Sequence, residues 1–73
     1  MFRTVDFLKD QGLSKPTHLA DLFKRYGVTP PSLMAIDKWY RRGTIPGEWF
    51  PIVLALIEAD TGKVPALLDY LTP

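Results

Sequence analysis

Residues 16–43 read PTHLADLFKRYGVTPPSLMAIDKWYRRG, and glycine and proline cut this stretch into two helical pieces. The first helix is expected to open between Ser14 and Thr17, where Pro16 suits a first turn that makes no use of its N–H, and to run to Tyr26. Leu19, Leu22, Phe23 and Tyr26 keep the i, i+3, i+4, i+7 spacing of a buried stripe, with Asp21, Lys24 and Arg25 outside it. Gly27 takes the left-handed position that ends a helix, and Val28 packs back on the last turn. Thr29-Pro30 repeats the start signal, a capping hydroxyl before proline, so the next helix is expected from there to Gly43. Its apolar stripe is Leu33, Ile36, Trp39 and Tyr40. Nearly opposite lies Lys38, with Met34 and Arg41 beside it and Asp37 and Arg42 on the flanks.

Outward from this pair, the same signals divide the rest of the chain. Thr4 can cap a short helix with Val5 and Leu8 on one face, Gly12 to stop it, and Phe2 and Leu13 covering its ends. Thr44 to Glu48 should form a turn, because Pro51 would delete a hydrogen bond from any helix begun at Pro46; a helix is expected from about Pro51 instead. From Trp49 to Ile57 that segment is apolar almost all round, which marks either the central core helix or one that meets a second subunit. Asp60-Thr61-Gly62 ends it, and Pro65 is expected to start a last helix whose Leu67, Leu68 and Leu71 form an apolar edge, with Thr72-Pro73 closing the chain. No strand-like alternation with hairpin turns appears between these pieces. The expectation is an all-α fold: a compact bundle of four to five short helices with a helix-turn-helix-like core, residues 1–73 making one domain.

Composition narrows what such a domain can do. With 47% hydrophobic and 23% charged residues the chain belongs among ordered proteins. At 73 residues it buries only about 60% of the surface its unfolded form exposes. The absence of cysteine removes disulfides, thiolate metal sites and cysteine nucleophiles, so stability has to come from tight helix packing or a partner. A homodimer is expected, sharing the outer members of Trp49, Phe50, Val53, Leu54 and Ile57, or using Leu68 and Leu71. The longest apolar run is shorter than the ~20 residues a membrane span requires. Met1 to Asp6 lacks a basic segment followed by an apolar run, so no secretory leader is expected and the cytoplasm is the expected location. His18 has no histidine or cysteine partner and is expected at the surface. The carboxylates Asp6, Asp10, Glu48, Glu58, Asp60 and Asp69 are scattered over different helices, and neither a glycine-rich phosphate loop nor an activated serine motif is present. No enzyme and no cofactor are expected.

Net charge is only +1, so a nucleic-acid reading rests on where the cations sit. Two consecutive helices, the second presenting a basic face just before a glycine, form the arrangement that places a helix in the major groove. Lys38 and Arg41 are the candidate base-reading residues and Arg42 a phosphate contact, while Thr29 and Ser32 at the start of that helix could position a phosphate. The same charges also fit an ordinary solvated helix end, where the dipole favours cations. Trp39 and Tyr40 could stack on unpaired bases, although their helical spacing is that of core residues.

The order Ile36, Trp39, Arg41-Arg42, Gly43, Ile45-Pro46 resembles the end of the recognition helix in small phage and prophage regulators of the Cro-like, lambda-repressor-like helix-turn-helix group. The resemblance spans roughly Leu19 to Thr61 and is specific after Ile36. It implies a compact helical domain that binds double-stranded operator DNA, commonly as a dimer on a palindrome, with Met34 and Asp37 also on the groove-facing side. Three departures accompany it: Phe23 stands where the group carries a small residue, the interval from Gly27 to Trp39 exceeds the usual one by about one helical turn, or ~3.6 residues, and Met34 and the Pro30-Pro31 pair replace polar residues that would ordinarily face the groove. They imply a helix docked at an altered angle or turned to another use. A small helical module that binds a host or phage protein is the competing expectation.

Overall fold

Proline and glycine set the helix boundaries in the computed structural model, which describes residues 1–72. Four α-helices, α1 (Thr4–Asp10), α2 (Pro16–Arg25), α3 (Leu33–Arg42) and α4 (Phe50–Thr61), precede a 3-10 turn at Leu67–Tyr70. Among the described residues the only strand-like pairing is one antiparallel bridge between Phe2 and Leu71. The fold is all-α, as the sequence led one to expect. Its radius of gyration, 11.4 Å, matches the roughly 11 Å of a compact chain of this length. The expected chain end at Pro73 lies outside the described residues.

One core unites the helices. Phe7 and Leu8 of α1, Leu19, Leu22 and Phe23 of α2, Ile36 and Trp39 of α3, and Val53, Leu56 and Ile57 of α4 are buried together with Leu13. Val53, Leu56 and Ile57 face inward while Leu54 is half-buried and Ile52 is exposed, so α4 serves as a core helix of this chain despite its all-round apolar surface. Its start follows from Pro46, whose carbonyl accepts from the N–H groups of Trp49 and Phe50 at 2.9 and 3.0 Å. That turn presents Trp49 edge-on to Phe23, centroids 5.7 Å apart, and against Trp39 at 6.0 Å.

Several local expectations are corrected. Thr4 does not cap α1: Arg3 holds the cap position, Thr4 is the buried first helical residue, and Phe7 takes the inward place that had been expected of Val5. The Phe7 ring is fixed there by Phe2 and Tyr70, at 5.5 and 5.3 Å. Tyr26, read as part of the α2 stripe, follows that helix and is exposed, with its hydroxyl bonded to Asp60 Oδ1 at 3.1 Å. His18 is half-buried, with no hydrogen-bond partner for Nδ1 among the described residues.

The start of α3 is the largest correction. Each proline disfavours helical geometry in the residue before it, so Pro31 works against Pro30 as a first helical residue. The helix begins only after both, at Leu33, with Ser32 as N-cap accepting the Ala35 N–H at 3.1 Å. The junction with α2 is therefore residues 26–32, an open connection in place of the expected tight turn at residues 27–29. At the far end Gly43, at φ 71°, lets its own N–H and that of Thr44 close on the Trp39 carbonyl at 2.9 and 3.1 Å.

The expected last helix after Pro65 is also corrected. Only the single 3-10 turn forms, and Leu71 leaves it in extended geometry. Pairing across to the start of the chain competes successfully with further helix: Arg3 donates to the Tyr70 carbonyl at 2.7 Å and Thr72 to the Met1 carbonyl at 2.9 Å. Leu68 consequently points to solvent, and Tyr70 supplies the packing that a leucine edge had been expected to give.

Tyr40 locks α3 onto the loop after α1. Its hydroxyl donates to the Leu13 carbonyl at 2.6 Å, and burial pushes its pKa up to about 12 from the usual 10. The folded form thus holds a proton that the unfolded chain releases near pH 10. This contribution is complete below pH 10 and is lost as the pH rises toward about 12. The urea midpoint is expected to fall across that interval, and Tyr40→Phe should flatten part of the fall; an unchanged profile in the variant would disprove the assignment.

Candidate nucleic-acid interface

Ile36 and Trp39 fix α3 against the core, Tyr40 hydrogen-bonds beyond it, and α2 packs alongside. This anchoring leaves Met34, Lys38, Arg41 and Arg42 exposed, Met34 by 72%. Asp37, partly buried between the anchored and outer faces, pairs with Arg41 one turn on, Oδ2 to Nη2 at 2.7 Å. The Arg41 guanidinium accordingly lies over the preceding turn of its own helix. No carboxylate among the described residues is in ion-pair contact with Lys38 or Arg42.

The expected phosphate-positioning pair is not brought together at the start of α3. Thr29 is exposed but sits in the proline-bound connection, three residues before Ser32. Ser32 does stand at the helix terminus, with its hydroxyl oxygen already engaged as the cap. Arg25 pairs with Asp60 at 3.4 Å, and the adjacent Tyr26 bonds to the same carboxylate, so the end of α2 is tied to α4 and drawn away from the α3 face.

Charge is divided unevenly between the helix pair and the rest. Residues 15–43 carry six cationic and two acidic side chains, whereas the remaining residues carry three and six. A net charge of +1 thus conceals an excess of cations along the α2–α3 stretch and an excess of acids along the remainder. Simple counting along the sequence finds this separation, although it does not identify which cations are already paired.

Leu33 is the site residue that periodicity misplaces. It shares the stripe spacing of Ile36 and Tyr40 but is 51% exposed, because the core ends one turn further along α3. With Met34 and Asp37 it borders a shallow, mostly apolar groove whose other wall is Lys15, Pro16 and Thr17 at the start of α2. A second apolar groove, at the opposite end, is bordered by Phe2, Phe50, Leu67 and Leu71.

Among the described residues, no group of three or more His, Cys, Asp or Glu side chains is placed to hold a metal ion, and no helix is long and apolar enough to cross a membrane. Compared with protein-family models, curated proteins and solved structures, the chain matches none of them.

Proposed function

We propose that this chain is a sequence-specific DNA-binding transcriptional regulator of the Cro-like type, a repressor of phage or prophage genes, acting in the bacterial or infected-cell cytoplasm. The observation that carries the reading is the exposed outer face of α3, where Lys38 and Arg42 stand outside any ion pair among the described residues. An α-helix fits the major groove, where lysine and arginine donate to guanine O6 and N7. Lys38 and Arg41 take that role, with the Arg41 guanidinium paired to Asp37, and Arg42 and Lys24 meet phosphates. The small net charge limits purely electrostatic binding.

A homodimer supplies the second half-site contact. Its interface is assigned to the exposed apolar residues at the other end, Ile52, Leu68 and Leu71, which border or adjoin the groove at Phe2 and Phe50. Sedimentation equilibrium should give twice the chain mass at micromolar concentration; a monomer there would overturn this part of the proposal.

A second reading, a protein-interaction module, is favoured by exposed Leu33 and Met34. Selection from a random duplex library, followed by titration of the best sequence and a scrambled one at several salt concentrations, separates the two. Regulator function predicts binding near ~10⁻⁸ M and at least ~10³-fold preference at physiological salt. Equal, weak and steeply salt-dependent binding would leave only phosphate attraction. No binding to either duplex would favour the protein module.

A further inference from the structure

We infer that Met34, with Leu33 beside it, reads the C5-methyl group of thymine, so that the preferred duplex carries thymine opposite the first turn of α3. This inference rests on the DNA-binding reading above. A recognition helix touches base edges chiefly through its N-terminal residues. In α3 those are Leu33 and Met34, the first two helical residues, 51% and 72% exposed. Neither side chain has a hydrogen-bond donor, and the thioether of Met34 is only a weak acceptor. Hydrogen-bond readout of guanine or adenine is therefore closed to this turn, while the thymine methyl is the apolar feature that the major groove offers.

The surrounding charge selects the occupant. Lys15 shares the groove with Leu33 and Met34, Lys38 follows Met34 by one turn, and Asp37, the carboxylate bordering the groove, is paired with Arg41. An apolar patch with Lys15 at its rim, its one bordering carboxylate neutralised by Arg41, fits a partner that presents methyl groups within an anionic surface, as a duplex does. A second copy of the chain would bring a like-charged surface against it. The flexible, unbranched Met34 side chain can follow the methyl as the helix settles in the groove.

The test replaces each thymine of the selected duplex in turn by deoxyuridine, which removes the methyl and leaves every hydrogen-bonding group. One or two positions per half-site are expected to lose about fourfold in affinity, the effect of one buried methyl, and the others to lose none. Met34→Ala should bind the thymine and uridine duplexes equally. In chain labelled with 13C-methyl methionine, the Met34 signal should move on adding the selected duplex and move less with the uridine duplex. Equal affinities at every position, with the preference over scrambled DNA intact, would overturn this inference alone. Failure to select any duplex would overturn it together with the regulator reading. A Met34 signal that answers instead to protein concentration, or to an acidic amphipathic peptide, would give the patch to a protein and overturn it as well.

Discussion

Phe23→Ala is expected to cost about 3–5 kcal/mol, the usual loss for truncating a buried phenylalanine. A chain of this length has only about 4–11 kcal/mol of stability in total, so the variant should be largely unfolded or close to it. The ring is fully buried and meets Trp49 edge-on, and Trp49 in turn meets Trp39. Removing it therefore loosens α2, α3 and the turn into α4 together. The Phe23 carbonyl also accepts the Val28 N–H at 3.0 Å, closing the end of α2, but alanine would preserve that bond. Urea unfolding followed by tryptophan fluorescence would report the change. A midpoint close to that of the unsubstituted chain would mean that the aromatic cluster does not carry the core.

The second large effect concerns binding. Replacing both Lys38 and Arg41 by alanine is expected to weaken the selected duplex by at least about 30-fold, from about 1–3 kcal/mol for each base-reading cation. Both side chains are exposed, so unfolding should change by no more than about 0.5 kcal/mol for each. Losing Arg41 also frees Asp37, adding an unpaired negative charge beside the groove. Affinity for scrambled DNA should fall much less than affinity for the selected site. Undiminished preference in the folded double variant would remove α3 from the reading role.

Much of the architecture could be read from local chemistry. The stripe Leu19, Leu22 and Phe23, the end of α2 at Gly27-Val28, the buried Ile36 and Trp39, and the delayed start after Pro46 each follow from a short-range rule, and the folded chain keeps all of them. Misreadings arose where two rules competed or where distant residues decided. Thr29-Pro30 has the form of a helix start, but the following Pro31 makes that geometry unavailable. Leu33 has the spacing of a core residue but sits beyond the reach of the core. Pro65 to Leu71 could form a helix in isolation, yet it pairs with residues near the other end of the chain, which no local pattern records.

The candidate interface was legible to a similar extent. Its cations and their order lay in the sequence, and Met34, Lys38, Arg41 and Arg42 do share exposed surface on α3. The pairing of Asp37 with Arg41 was not read, although i, i+4 spacing made it available. The capture of Arg25 and Tyr26 by Asp60 required knowledge of how α2 meets α4.

The bridge between Phe2 and Leu71 gives the chain the connectivity of a nearly closed ring. The Met1 amine donates to the Thr72 carbonyl at 2.8 Å, so a short peptide linker could connect Thr72 to Met1 with little displacement of either. Such a ring could be cut at the exposed Thr29, within the connection between α2 and α3, giving the helical order α3, α4, α1, α2. In that permuted chain α2 and α3 would be distant in sequence and adjacent in space, so their mutual arrangement would depend on side-chain packing instead of a covalent link.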